Sequence, residues 1–188
     1  LPALPTDARR CILTEILSAF GAGESVIAEK LGDLMRRERN PLVGTTVSAG
    51  IISIRIRSEF PSIDAARREL EATADEIHHI LGELVFGRGK DTLQEVVGTL
   101  SRYRKKKLAT AESCTGGLVA RMLTDVSGSS DYFLGGWVAY SNELKIRELG
   151  VPAELITNYG AVSEEVASAM AVQALIKTGA DISISLTG

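Results

Sequence analysis

Leu108-Ala-Thr-Ala-Glu-Ser113-Cys-Thr-Gly-Gly117 decides the fold. A short apolar run, Leu108 to Ala111, reads as a strand that passes through a serine and two glycines into a helix expected from about Thr115 to Leu123. That order places a hydroxyl at the C-terminal end of a strand, where α/β proteins expose reactive groups. The elements on either side repeat the alternation. Upstream, Thr92 to Arg104 carries Leu93, Val96, Val97 and Leu100 on one helical stripe. Downstream come the loop Ser127-Gly-Ser-Ser130, a strand Gly136 to Tyr140 and a helix Glu143 to Leu149 stopped by Gly150 and Pro152. A helix Glu164 to Lys177 follows, with acids at its start and Gly179 past its end. Ile182, Ile184 and Leu186 then alternate with serines as a last strand. Such alternation predicts an α/β/α layered domain.

The first half reads differently. Cys11 to Ser18 is a strand candidate, Gly21-Ala-Gly23 breaks it, and Glu24-Ser25 opens a helix through Leu34 and Met35 that ends in Arg36-Arg37-Glu38-Arg39. After the break at Asn40-Pro41, Val43 to Ser48 reads as a strand, and Ile52, Ile54 and Ile56 alternate with Ser53, Arg55 and Arg57 as a half-buried one. A long helix from Ser62 then carries apolar residues at three- and four-residue steps as far as Leu84. The pattern is β-α-β-β-α, a small α+β domain. Phe86-Gly-Arg-Gly-Lys90 interrupts every periodicity, so domains of 1–90 and 91–188 are expected.

At 45% hydrophobic and 24% charged residues the chain has the balance of a globular protein. A net charge of −3 argues against a polyanion as main partner, and residues 1–90 alone sum to −1, with 12 Lys plus Arg and 13 Asp plus Glu. Nucleic acid is therefore not an expected partner, and Glu24 beside Gly21-Ala-Gly23 puts an acid where a phosphate clamp would want none. Cys11 and Cys114 have no metal-ligand spacing, which fits a reducing compartment, so the cytoplasm is expected. No long uninterrupted apolar run suggests a membrane span. Because it starts at Leu1 and stops just after a strand-like run, the sequence reads as a fragment, with Leu1 to Arg10 the tail of a preceding domain.

Ser113 is the candidate nucleophile, against the plainer reading that Ser113 or Thr115 caps a helix. A serine needs a base, and the only histidines, His78 and His79, are in the other half and read as helix surface. Lysine is the remaining local base, since desolvation lowers its pKa. Lys145 could face the end of the Leu108 strand if that strand neighbours Gly136 to Tyr140, although a lone helical lysine is more often solvated. Tyr140 offers a hydroxyl, although a tyrosine at a strand end is more often core. Backbone N–H groups at the helix start near Cys114 and Thr115 could hold an oxyanion. The Cys114 side chain reads as a small buried apolar group, Tyr132 and Trp137 as core, and the five cations of Arg102 to Lys107 as a solvated helix end.

Five ordered blocks carry a resemblance: Ala109 to Gly117, Asp125-Val-Ser-Gly-Ser-Ser130, Val138-Ala-Tyr-Ser-Asn142 with Lys145, Gly160-Ala-Val-Ser-Glu-Glu-Val166, and Leu186-Thr-Gly188. They closely resemble the C-terminal domain of the CinA family, the nicotinamide mononucleotide deamidases. Residues 11 to 90, with Gly23-Glu-Ser25, Leu31-Gly-Asp-Leu34, Arg39-Asn-Pro41 and Val85-Phe-Gly87, look like the KH-type middle domain of full-length CinA proteins. The resemblance implies a Ser/Lys amidohydrolase that turns nicotinamide mononucleotide into nicotinate mononucleotide and ammonia. Ser113 is then the nucleophile, Lys145 the base and Tyr140 an assisting hydroxyl, while Cys114, Thr115, Gly116, Gly117 and Thr187 line the substrate. No metal or cofactor is expected, and a homo-oligomer is. The family pattern continues past Thr-Gly with a glycine-rich loop and an arginine that this chain does not contain, and full-length relatives carry a molybdopterin-binding-like domain before the KH-type part. The competing readings are a non-catalytic fragment serving as a nucleotide-binding, bridging or oligomerisation module, and a KH-like nucleic-acid binder.

Overall fold

A computed structural model of the chain describes residues 10–188, which divide into two compact units between Leu93 and Gln94, a few residues beyond the expected break after Lys90. The proposed domain tail thus lies outside the described residues except for Arg10.

The first unit runs β1 (Cys11–Ala19), α1 (Glu24–Leu31), β2 (Leu42–Ser48), β3 (Ile51–Phe60), α2 (Ile63–Leu81) and β4 (Val85–Arg88). Its strands form one antiparallel sheet in the order β2-β3-β1-β4. Alternation along β3 sorts the faces: Ile52, Ile54 and Ile56 are buried against α1 and α2, while Arg55 and Arg57 point to the open side. Helix α2 begins where the Ser62 hydroxyl accepts from the Ala65 N–H at 3.2 Å, and its buried stripe is Ala66, Leu70, Ala74, Ile77 and Leu81.

Two expectations for this unit need correction. Helix α1 stops at Leu31, because Gly32 takes φ +47° and the chain tightens into a 3-10 turn, Gly32–Met35, that buries Leu34. Arg36 to Arg39 therefore lie beyond the helix and do not form its charged end. The start of Phe86 to Lys90, a stretch read as a domain break because of its two glycines, belongs to a fourth strand, Val85–Arg88, on the free edge of β1. Gly87 is accommodated within it because an added Cβ would come 3.0 Å from that of Asp91.

The second unit runs α3 (Leu93–Tyr103), β5 (Leu108–Glu112), α4 (Leu118–Thr124), β6 (Phe133–Val138), α5 (Asn142–Leu144, continued by a π-helical stretch Lys145–Leu149), α6 (Ala153–Tyr159), α7 (Glu164–Thr178) and β7 (Ile182–Leu186). Its sheet is parallel in the order β6-β5-β7, so β5 is central and buried at every position. On one face, Ala109 and Ala111 let Leu149, Val151, Val166, Met170 and Ala174 pack closely. On the other, Leu108 packs with Leu123 and Tyr132, whose hydroxyl donates to Leu123 O at 2.7 Å. This is the α/β layering expected from the alternation.

The differences are local. Strand β6 starts and ends earlier than Gly136 to Tyr140, leaving Tyr140 beyond the strand. Helix α6 lies where no helix was expected. In β7 the serines face inward: Ser183 and Ser185 donate to Ala171 O and Ala167 O of α7 at 2.7 and 2.6 Å, while Ile182 and Ile184 stay nearly half exposed. The cations after α3 are mostly engaged: Lys106 pairs with Asp181 at 2.9 Å, Lys107 donates to Asp131 O at 2.6 Å, and Arg102 stacks 5.5 Å from the centre of the Tyr132 ring.

The approach of β6 to β5 depends on Gly136. A Cβ there would lie 2.1 Å from Thr110 Oγ1 and 2.6 Å from the Thr110 backbone oxygen. Gly136→Ala is expected to cost at least about 2 kcal/mol in urea unfolding. Adding Thr110→Ala should not restore the loss, because the backbone clash remains.

Candidate active site

Three parallel strand ends converge at Ser113. Glu112 stands opposite Val138 of β6 and Leu186 of β7, so the chain leaving β5 emerges between its two neighbours. Backbone bonds fix this meeting: the Ser113 N–H donates to Leu186 O and the Ala139 N–H to Glu112 O, both at 2.8 Å. The chain then turns at Ser141, whose hydroxyl accepts from the Leu144 N–H and caps α5. One turn later Lys145 opens the π-helical stretch and points back under the strand ends.

The Lys145 amine donates to Ser113 Oγ at 2.9 Å and to the Tyr140 carbonyl at 3.2 Å. Both side chains are removed from water, Ser113 at 6% exposure and Lys145 at 2%. Among the described residues no carboxylate forms an ion pair with Lys145. Burial is the main influence on the amine and lowers its pKa, opposed only by the nearby Cys114 thiol. A lysine pushed toward its neutral form within hydrogen-bond reach of a serine is a base beside a nucleophile.

The other expected residues fall as follows. Tyr140 reaches the pair through its backbone carbonyl, which also lies 3.4 Å from Ser113 Oγ, while its side chain is exposed. Helix α4 begins only at Leu118, so neither Ser113 nor Thr115 caps it, and the helix-start N–H groups are not the ones near Cys114. Residues Ser113 to Leu118 instead form successive turns, with the Gly116 N–H on Ser113 O and the Leu118 N–H on Thr115 O, and the N–H groups of Cys114 and Thr115 find no acceptor among the described residues. Gly116 and Gly117 take positive φ, +61° and +95°, which this tight path requires. Cys114 is exposed rather than buried, because the turn carries it outward. The Thr187 hydroxyl donates to Ala161 O at 2.7 Å, tying the end of β7 to the loop before α7.

Sequence reasoning missed Glu112. This carboxylate is fully buried and accepts from the Thr115 hydroxyl at 2.7 Å and from the N–H groups of Val119 and Ala120 at 3.0 and 2.7 Å. It caps α4 from the end of β5 and so holds the 113–117 turn in place. Burial tends to raise its pKa, but the hydrogen bonds from Thr115, Ala120, Val119 and Gly117 outweigh this and hold it below the usual carboxylate range. The available signal was a glutamate at the end of a buried strand, followed by a helix whose own cap position, Gly117, has no side chain.

Two outcomes follow from these charges. The folded state binds the Lys145 proton less tightly than the unfolded chain does, so stability rises with pH on approaching the ordinary lysine range near 10.5. Lys145→Met should unfold at higher urea than wild type at pH 7, by about 1 kcal/mol or more, with the gap narrowing as pH rises into that range. For Glu112 the sign is opposite: its lowered pKa stabilises the fold above the unfolded carboxyl value of 4.5, and that contribution is lost as pH falls through the folded value. Glu112→Gln turns an amide NH2 toward N–H donors and should cost about 2–3 kcal/mol at pH 7, shrinking in acid, as followed by urea unfolding across pH.

Residues 90–188 match the sequence model of the CinA C-terminal domain, and residues 14–87 that of the KH domain of damage-inducible protein CinA. A putative competence-damage inducible protein of Moorella thermoacetica is 43% identical across 100% of this chain and 46% of its own length. A CinA-like protein of Synechocystis sp. is 43% identical over 94% of this chain and 42% of its own. The chain thus spans less than half the length of these curated relatives. Among solved structures, the competence/damage inducible protein CihA of Agrobacterium tumefaciens is 41% identical over 51% of this chain and 58% of its own, with a TM-score of 0.50. No helix among the described residues is long and apolar enough to cross a membrane. By its two matched domains, this chain belongs to the CinA family.

Proposed function

We propose that the second unit hydrolyses the carboxamide of nicotinamide mononucleotide through a Ser113/Lys145 pair, releasing nicotinate mononucleotide and ammonia. The observation that carries this reading is the 2.9 Å contact between a buried lysine amine with a lowered pKa and a serine hydroxyl. The substrate follows from the resemblance of the five blocks around that pair to the CinA deamidases.

In the resting arrangement the Ser113 hydroxyl faces the Tyr140 carbonyl and accepts from Lys145. Rotation about the Cβ–Oγ bond turns its proton toward the neutral amine. As Oγ attacks the carboxamide carbon, Lys145 takes that proton, and the Tyr140 carbonyl accepts from the new ammonium. Negative charge grows on the former amide oxygen. The N–H groups of Cys114 and Thr115, which have no acceptor among the described residues, are the donors assigned to receive it. Lys145 then returns its proton to the departing nitrogen, the C–N bond breaks, and ammonia leaves an ester on Ser113. Water deprotonated by Lys145 attacks the ester, and the proton returns to Ser113 as the acid is released. Open space beside Gly116 leaves room for the substrate.

Ammonia release from nicotinamide mononucleotide tests this, measured for this chain and for a longer polypeptide containing it. Ser113→Ala and Lys145→Ala should each lower the rate by about a thousandfold or more. Activity surviving in both variants contradicts the assignment. A fluorophosphonate should label Ser113 in the wild type and fail to label Lys145→Ala.

A further inference from the structure

On the first unit, the net charge of −1 over residues 1–90 conceals a local concentration of cations. Arg10, Arg37, Arg39 and Arg57 line one cavity of about 540 Å³, and Glu59 is the acid among its described lining residues. Arg55 adds a fifth cation in an adjoining hollow of about 550 Å³ that shares Arg37, Leu42 and Arg57. The strand pairing produces this arrangement, because Arg55 and Arg57 occupy the open face of β3 opposite Gly44 and Leu42 of β2. Without a side chain, Gly44 leaves the space between them clear.

The cavity is built rather than incidental. Glu59 accepts from Arg10 on one oxygen at 2.9 Å and from Arg57 on the other at 2.7 Å, which pins two guanidinium groups. The hydrogen bond from Arg10 is the largest influence on its carboxyl; burial comes next and opposes it, and Arg57 adds to the lowering that holds it below the usual range. Glu59 itself is fixed by Asn40, whose amide donates to Glu59 O and whose oxygen accepts from the Glu59 N–H at 3.0 Å. Arg37 and Arg39 form no ion pair among the described residues. Two pinned guanidinium groups and two with no ion pair among the described residues, around one hollow, offer the forked donors that phosphate oxygens accept. Phe60, Pro61 and Leu42 supply apolar wall beside them.

We propose that this cavity binds the phosphate of a small nucleotide-sized ligand, with its ring against Phe60, Pro61 and Leu42. Its volume lies in the range of small-molecule sites. A nucleic-acid strand fits less well, because strand binding needs a basic track over several phosphates and this one ends at Glu24, which accepts from Thr45 of β2 at 2.9 Å. The site belongs to the first unit and is independent of the Ser113 chemistry.

Nitrogen-edited NMR of the full chain tests the proposal, because it reports which amides respond. Titration with AMP and with inorganic pyrophosphate should shift the amides of Arg39, Asn40, Leu42 and Arg57 to Phe60, whereas adenosine, lacking phosphate, should not shift them. The double variant Arg37→Ala/Arg39→Ala, altered only at exposed positions, should keep the wild-type spectrum elsewhere and bind about tenfold more weakly or worse. No response at these amides up to millimolar ligand, about −4 kcal/mol, overturns the proposal. So does unchanged affinity in the double variant. A ten-residue oligodeoxythymidylate that binds there more than about tenfold tighter than AMP would identify a nucleic-acid strand as the occupant and overturn it equally.

Discussion

A lysine amine taken out of water beside a serine hydroxyl, with no carboxylate to hold its charge, is the interaction on which the second unit is organised. Burying an ammonium group without a counter-ion is costly, and the cost falls when the proton leaves. The fold therefore maintains an environment in which Lys145 gives up its proton more readily than a solvated lysine would. What keeps it buried is not local to the helix. Leu149 and Val151 follow it into the core on one sheet face, and the strand ends close over it from above.

The sheet order makes the pairing possible. In a parallel sheet neighbouring strands end on the same side, so the residues just past β5 and β6 emerge together even though 32 residues separate Ser113 from Lys145. Small side chains allow this: Gly136 admits Thr110, and Ala109 and Ala111 admit the helices. Glu112 completes the arrangement. Its carboxylate takes up the N–H groups at the start of α4, so the turn carrying Ser113 is fastened at both ends, to Leu186 before it and to the helix after it. Within the turn itself, the N–H groups of Cys114 and Thr115 have no acceptor among the described residues.

Much of this was legible in the residues. Strict alternation at Ile52, Ile54 and Ile56 and the helical stripe from Ala66 to Leu81 produced the elements they suggested, because each has one face to bury. The Ser113 and Lys145 pair was named through the resemblance to the CinA deamidases, because spacing alone favoured a helix-capping serine and a solvated lysine. Errors arose where backbone conformation or tertiary contact overrode pattern. Gly32 ended α1 early by taking a positive φ, and Gly87 sat inside a strand because a neighbouring edge was free to pair. Tyr140 fell past the end of its strand, and its backbone carbonyl accepts from Lys145. Glu112 has no periodic or motif signature as a cap, since its partners lie across a turn and become visible only in three dimensions. The cationic hollow near Asn40 was hidden for a related reason: net charge averages over a surface that the sheet divides into faces.

Titration of the Lys145 amine is the most direct measurement of the central claim. Selective 13Cε-lysine labelling, with Lys145→Met to assign the resonance, follows its chemical shift against pH. The account predicts that Lys145 titrates below the other lysines of the chain, and that Glu112→Gln, by loosening the turn above it, moves the midpoint back toward them. A midpoint coinciding with the exposed lysines would mean that the amine is a charged, solvated group at neutral pH, and the buried base would have to be abandoned.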